Sequence, residues 1–239
     1  MSYQYQEMPV TVAAEATESE RIGFIKLTYA HLGGAILLFV ALSAAIRASG
    51  VAESMTASML GSRGSWGVVL LLFIGVGWVA EYWAKHSTST AMQYAGLTLY
   101  TVAEAIIFVP LLYIAETFYP GENIIATAGL ITAIVFAGLT GVVFITKKDF
   151  SFMRGALAAM TMGALALIVA SLVFGFSLGI VFCAAMVVLA SGYILYYTSK
   201  VLHHYPIGSH VAAALALFSA VALLLWYVLR ILMHLASKR

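Results

Sequence analysis

One carboxylate, Glu104, lies near the middle of an apolar segment that is long enough to cross a bilayer. An acid at that depth costs several kcal/mol unless it is protonated, paired or hydrated, and such acids commonly belong to ion or proton pathways. Three polar side chains share its helical face by their spacing, namely Gln93, Tyr100 and Thr101. Beyond Glu104 this face becomes apolar. The pattern predicts a polar strip that leads from one membrane surface to the acid and stops there.

Two interpretations of Glu104 are open. In the functional one, the carboxyl group is a protonatable gate or a cation ligand. In the structural one, the acid is hydrogen-bonded to Tyr and Thr hydroxyls and holds helices together. His31 lies in the same half of the membrane and titrates near neutral pH, so it is a candidate partner for Glu104. The simpler interpretation of His31 is a histidine at a helix end in the interface.

The remaining polar residues do not indicate an enzyme or a metal protein. His203, His204 and His210 lie close together, but the segment adds no cysteine or carboxylate, so we predict a solvated interfacial loop, no metal site and no cofactor. Arg230 lies near the end of the last apolar segment and is interpreted as an interfacial anchor. The chain contains no His-Glu-x-x-His pair, no Gly-x-Ser-x-Gly elbow and no glycine-rich phosphate loop.

Membrane helices must position these residues. Of the 239 residues 63% are apolar and 9% are charged, whereas soluble domains carry about 25% charged residues. The formal charge of +2 and the lack of a basic cluster exclude nucleic acid as a partner. We predict a disordered polar tail over 1–20 and one transmembrane domain over 21–239, an all-α bundle of seven helices in a lipid bilayer. The predicted spans are 27–48, 66–84, 94–115, 124–146, 153–174, 177–199 and 210–233.

The short loops predict the orientation of the bundle. Lys147, Lys148 and Arg154 flank one tight turn, whereas the loop after the third span carries only the acids Glu116 and Glu122. Since cytoplasmic loops of membrane proteins are enriched in Lys and Arg, the turn and the N-terminus are predicted to face the cytoplasm.

Several segments, in order along nearly the whole chain, resemble the Bax inhibitor-1 family in its bacterial branch. The matching segments are 21–29, the third span, 146–155, 192–199 and 227–232. They contain the motif residues Lys147, Lys148, Asp149, Tyr196 and Arg230. The resemblance implies a seven-helix bundle in the bacterial inner membrane. It also implies one of two roles in stress regulation: a pH-sensitive calcium leak, or a regulator of membrane proteostasis that binds a membrane-anchored AAA protease.

The chain departs from this family at two acidic positions. The resemblance implies that members which leak calcium carry one acidic residue directly after Ile-Leu-Tyr and a second one midway along the last helix. Here those positions hold Tyr197 and Ala220, beside Ser219. Both carboxylates are missing, so the paired acidic gate is not carried over, although Tyr197 and Ser219 are candidates for the same pathway. The leading hypothesis is a pH-sensitive cation (calcium) or proton leak titrated by Glu104, and the alternative is the non-conducting regulator that binds the protease.

Overall fold

The computed structural model describes residues 11–86 and 89–238, without the side chain of His86. Its described part is all-α, and seven of its helices are long and apolar enough to span a bilayer, which confirms the predicted fold class. The helices are α1 Glu18–Ala48, α2 Ala52–Leu60, α3 Arg63–His86, α4 Thr90–Phe118, α5 Ile124–Thr146, α6 Arg154–Phe174, α7 Ile180–His203 and α8 His210–Ala236. A single 3₁₀ turn, Ser151–Met153, precedes α6.

One helix and several boundaries differ from the prediction. Helix α2 was not predicted, and its nine residues are too few to cross a bilayer; it packs against α3 and α4. Helix α4 begins at Thr90, earlier than the predicted 94. Helix α7 begins at Ile180, later than the predicted 177. Gly175, at a φ of +78°, ends α6 after Phe174.

Helix α8 occupies the centre of the bundle. It contacts α1, α3, α4, α5 and α7, and the run of buried alanines 212–214 lets other helices approach closely. Three phenylalanine rings join the inner helices: Phe39 of α1 lies 5.0 Å from Phe108 of α4 and 6.1 Å from Phe218 of α8, between ring centroids. Helix α6 is peripheral and contacts mainly α7. The site therefore forms between a tightly packed centre and a loosely attached outer helix.

The two ends of the bundle are built differently. At one end, here called the Asp149 end, the turn 147–150 contacts the loop 204–209 through Asp149 and His204. The same loop lies beside residues 11–13. There Ala13 N donates to the Tyr205 carbonyl at 3.0 Å, and Val12 forms a β-bridge with Pro206. The opposite end, here called the Glu116 end, carries an ion pair of 3.1 Å between Arg47 and Glu116.

The structure describes only the second half of the predicted disordered tail. Residues 1–10 lie outside the described residues. The second half of the predicted tail has defined structure, because Thr17 and Glu20 form a capping box at the start of α1 and that helix begins at Glu18. The loop 204–209 supplies backbone partners for residues 11–13, a pairing that no local sequence pattern indicated.

Helices α3 and α4 meet at Gly96. A Cβ atom at this position would lie 2.5 Å from the Ala80 carbonyl oxygen and 3.1 Å from the Ala84 nitrogen. Both are backbone atoms and cannot move aside on their own. Further along, the Tyr100 ring lies against Gly77. The close approach at Gly96 therefore sets the position of Tyr100, and of the residues that follow it in α4, relative to α3.

We expect Gly96→Ala to destabilise the protein by about 1–3 kcal/mol, because the added methyl group forces the two backbones apart. Gly138→Ala is the matched control, since a Cβ at Gly138 would meet nothing within 4 Å. Thermal unfolding in detergent, followed by intrinsic fluorescence, measures the difference. Equal unfolding temperatures for the two variants would show that the contact at Gly96 does not limit packing.

Candidate functional site

Glu104 lines a cavity of about 710 Å³ between α3, α4, α6, α7 and α8. Its side chain is buried at 5% exposure. Three other residues predicted to lie on the pathway also line this cavity, namely Tyr100, Tyr197 and Ser219. The structure thus brings four of the six predicted pathway residues together.

Helix α4 places an aromatic ring one turn to either side of Glu104. Tyr100 precedes it, and the Tyr100 phenol interacts with the carboxyl group. Phe108 follows it and meets the Trp226 ring edge-on, with centroids 5.0 Å apart. Trp226 in turn stacks on Trp66 at 6.2 Å. The carboxyl group therefore lies in a largely aromatic and aliphatic surround.

Toward the Asp149 end the cavity lining stops at a tyrosine layer formed by Tyr193, Tyr196 and Tyr197. The rings of Tyr193 and Tyr197 stack at 5.5 Å, and those of Tyr196 and Tyr197 are 5.2 Å apart. The Tyr193 hydroxyl shares a hydrogen bond of 2.8 Å with the hydroxyl of Thr161 on α6. The motif residue Tyr196 is buried in this layer. Its role here is packing, and it does not itself line the cavity.

The cavity is open sideways between α3 and α6. Four lining residues at this mouth, Leu71 and Ile74 of α3 and Val169 and Val173 of α6, are between 52% and 70% exposed. In a membrane-spanning bundle, exposed apolar side chains along the spans face lipid. The tyrosine layer lies on the side of the Asp149 end, from which the polar strip was expected to lead, and the open side of the cavity faces the bilayer.

Arg230 lines the end of the cavity nearest the Glu116 end and is exposed. It interacts with Cys183 and Tyr227. Since Phe108 contacts Trp226, and each of these is one turn from Glu104 and Arg230 respectively, the two charged residues are separated by about 12 Å along the bundle axis. No ion pair joins them within the described part of the chain.

Two predicted pathway residues lie elsewhere. His31 Nε2 is 2.8 Å from the Tyr94 hydroxyl, its Nδ1 is 2.7 Å from the Leu27 carbonyl, and its ring is 4.8 Å from that of His210. Both ring nitrogens are thus engaged away from the cavity, and His31 does not contact Glu104. Thr101 is fully buried, and its hydroxyl donates to the Leu97 carbonyl at 2.8 Å. Three residues before Glu104, it points into the helix packing.

The motif turn at 147–150 is tied to α7 through Asp149. Its Oδ1 accepts hydrogen bonds from Ser151 N at 2.8 Å and from Ser199 Oγ at 3.2 Å. Its Oδ2 lies 2.8 Å from His204 Nε2. Desolvation acts to raise the pKa of Asp149, but the hydrogen bonds from Ser151 and His204 outweigh it and hold the pKa at about 2. Lys147, at a φ of +52°, ends α5.

Lys147 and Lys148 are exposed at this end and do not contact the cavity. Asp149 holds the motif turn to α7 and to the following loop, and His204, expected to be a solvated loop residue, is part of this contact. Sequence reasoning missed Thr161, whose hydroxyl links α6 to the tyrosine layer. The sequence feature that could have indicated Thr161 is a hydroxyl side chain within a largely apolar span. It also missed Trp66 and Trp226, which resemble interfacial aromatic residues when only their position near span ends is known.

We expect Asp149→Asn to lower the unfolding temperature near pH 6, by an amount equivalent to less than about 1 kcal/mol because the side chain is 43% exposed. The pKa of Asp149 in the folded chain, about 2, lies below its ordinary value of 3.8. The ionised carboxylate therefore stabilises the fold above about pH 4, and this contribution is lost as the pH falls through 2.

The difference between wild type and Asp149→Asn should accordingly shrink as the pH is lowered from 4 toward 2. Unfolding in detergent across this range, with the exposed Glu15→Gln as control, measures it. An Asp149→Asn variant as stable as wild type at pH 6 would contradict the stabilising role of the turn.

Comparison with known proteins places most of the chain in one family. Residues 21–237 match the family model described as "Inhibitor of apoptosis-promoting Bax1". The uncharacterized protein PA2604 of Pseudomonas aeruginosa is 31% identical over 142 residues, which is 57% of this chain. The match spans 60% of the length of that curated relative. No solved structure matches the chain significantly.

Proposed function

This chain belongs to the Bax inhibitor-1 family of membrane proteins, and on that premise we propose that it is a proton leak whose titrating group is Glu104. The observation that carries the proposal is the position of the Glu104 carboxyl group, buried and yet on the lining of a large cavity. Acids at this depth recur in proton relays. The hydroxyls of Tyr100, Tyr197 and Ser219 on the same cavity give a proton polar partners along the way.

The chemistry of the cavity favours protons over calcium as the conducted ion. Calcium takes six to eight oxygen ligands, several of them from carboxylates. Among the described residues there is no group of three or more His, Cys, Asp or Glu side chains that would hold a metal ion. The Ser219 hydroxyl donates to the Ala216 carbonyl at 2.9 Å, and the Thr161 hydroxyl to the Leu157 carbonyl at 2.9 Å. One carboxylate with few available oxygens suits proton exchange better.

The tyrosine layer supplies a closed state for the leak. Stacked rings of Tyr193 and Tyr197 lie between Glu104 and the Asp149 end. A proton that leaves Glu104 toward that end has to pass them, so conduction requires the layer to part. On this proposal the pH sensitivity arises because the charge state of Glu104 changes the stability of the packing around it.

We also propose that the protein resides in the bacterial inner membrane with the Asp149 end in the cytoplasm. Lys147, Lys148 and Arg154 are all at that end, as the enrichment of cations in cytoplasmic loops requires.

Proton flux into liposomes tests the role of Glu104. We expect wild type to carry a flux that depends on pH between 5 and 8, and Glu104→Gln to reduce it at least tenfold, because the amide cannot release a proton. Glu116→Gln makes the same chemical change on the same helix, outside the cavity, and should conduct like wild type. A pH-sensitive dye trapped in the liposomes reports the flux. Identical flux for wild type and Glu104→Gln would rule out Glu104 as the titrating group.

A second candidate function is supported by Tyr197 and Ala220, which stand where the family resemblance implies a pair of acids in members that leak calcium. Tyr197 and Ala220 both line the cavity, so the positions that would carry the paired acids hold an aromatic ring and a methyl group. This favours a non-conducting regulator that binds a membrane-anchored AAA protease. The exposed lysines of the motif turn, Lys147 and Lys148, offer a charged surface for such a partner at the Asp149 end.

The regulator hypothesis predicts no flux at any pH and co-purification of the protease with the full chain in mild detergent. We expect Lys147→Ala/Lys148→Ala to weaken that co-purification because it removes the two lysine charges of the motif turn. Glu104→Gln should leave it unchanged. Failure to recover the protease with wild type, together with a measured proton flux, would exclude this candidate.

A further inference from the structure

We propose that the Glu104 cavity binds hydrophobic organic cations that enter from the bilayer, with the Glu104 carboxylate as their counter-ion. This goes beyond the proton leak, although it uses the same acid. Binding exchanges one cation for one proton: the carboxyl O–H bond breaks, the proton leaves to water, and the carboxylate pairs with the bound cation.

Charge complementarity carries the first step. Glu104 is the one carboxylate on the cavity lining in the described ranges. It has no Lys, Arg or His partner within 4 Å there. An ionised carboxylate without a partner in a low-dielectric site is strongly unfavourable. A cation whose own surface is apolar supplies the missing charge without bringing a hydration shell into the membrane.

The walls around the carboxyl group suit such a cation. Tyr100 and Phe108 flank Glu104 on α4, and Phe73 and Trp226 complete an aromatic surface on the same cavity. The ring centroids of Phe73 and Tyr100 are 6.0 Å apart, and those of Phe108 and Trp226 are 5.0 Å apart. Aromatic faces attract cations most strongly where water is excluded. A carboxylate set among aromatic rings thus selects positive charge and apolar surface together.

The size of the cavity and its route of entry fit the same class of ligand. A volume of about 710 Å³ lies within the range of about 300–1,000 Å³ typical of sites for drug-sized molecules. The mouth between α3 and α6 opens to lipid, at Leu71 and Val169 for example. A hydrophobic cation dissolved in the bilayer reaches Glu104 through this mouth, whereas a small hydrated ion does not.

The other charge on the cavity lies far from the acid. Arg230 is about 12 Å from Glu104 along the bundle axis, and its exposed side chain reaches toward the membrane surface. Arg230 would instead favour an anionic amphiphile at that end of the cavity. The two ligand classes are distinguished by probes of equal shape and opposite charge.

Tetraphenylphosphonium and tetraphenylborate are such probes. With the purified full chain in nanodiscs of zwitterionic lipid, we expect saturable binding of tetraphenylphosphonium that changes the tryptophan fluorescence and strengthens as the pH rises from 5 to 8. Glu104→Gln should weaken this binding at least tenfold, and Glu116→Gln should not alter it. Equilibrium dialysis measures how tightly wild type and the two variants bind the probe. Val169→Trp narrows the mouth from its lipid-facing side while Glu104 is intact. It should slow the association of the probe, which is followed as the change in tryptophan fluorescence with time.

Several results would overturn the proposal. Absence of saturable tetraphenylphosphonium binding by folded wild type would do so, as would equal binding by Glu104→Gln. Tighter binding of tetraphenylborate that is lost in Arg230→Gln would assign the cavity to anionic amphiphiles instead. The outcome is separate from that of the proton leak. Cation binding through Glu104 without proton flux would contradict only the leak. Proton flux through Glu104 without cation binding would contradict only this proposal.

Discussion

The free-energy cost of holding the Glu104 carboxyl group inside the membrane is the constraint around which the structure is organised. Lipid offers no water to solvate the group, so the protein has to surround it with its own atoms or leave it access to a ligand. The structure does both. Phe108, beside Glu104 on α4, packs against α1 and against Trp226 of α8, while the carboxyl group itself faces a cavity. An acid buried entirely in packed side chains would be inert, and the cavity makes this one available for chemistry.

The packing of the bundle explains why the cavity lies where it does. Helix α8 meets five other helices, and the close approach at Gly96 holds α3 against α4. These contacts fix one wall of the cavity rigidly. The opposite wall belongs to α6, which reaches α7 through Leu157, packed against Gly192, and through the hydrogen bond between Thr161 and Tyr193. A cavity between a fixed wall and a lightly held helix opens to the bilayer on the side of that helix.

Sequence reasoning reached the helices and the central acid but not the packing between helices. Long apolar runs are sufficient to predict seven spans, because bilayer thickness fixes their length, and the resemblance on the motif residues is confirmed over 21–237. Tyr100, Tyr197 and Ser219 line the same cavity as Glu104. His31 and Thr101 lie elsewhere, since helical spacing defines a face only within several tens of degrees and says nothing about which neighbour that face meets. The special role of Gly96 among twenty glycines likewise exists only once α3 lies against it.

Access to Glu104 is therefore limited on two sides, by the tyrosine layer and by the mouth between α3 and α6, and the tyrosine layer is the more tightly packed of the two. Toward the Asp149 end, the rings of Tyr193, Tyr196 and Tyr197 pack on one another, and the turn beyond them is tied to α7 by Asp149, Ser199 and His204. Toward the bilayer, the mouth between α3 and α6 is bounded by exposed aliphatic side chains, which lipid can replace at little cost. Because the aromatic packing and the polar turn hold the first side together, we infer that a hydrophobic ligand reaches Glu104 more readily past α6. Exchange with the Asp149 end has to pass the stacked rings of Tyr193 and Tyr197, and the hydrogen bond between Thr161 and Tyr193 joins this layer to α6.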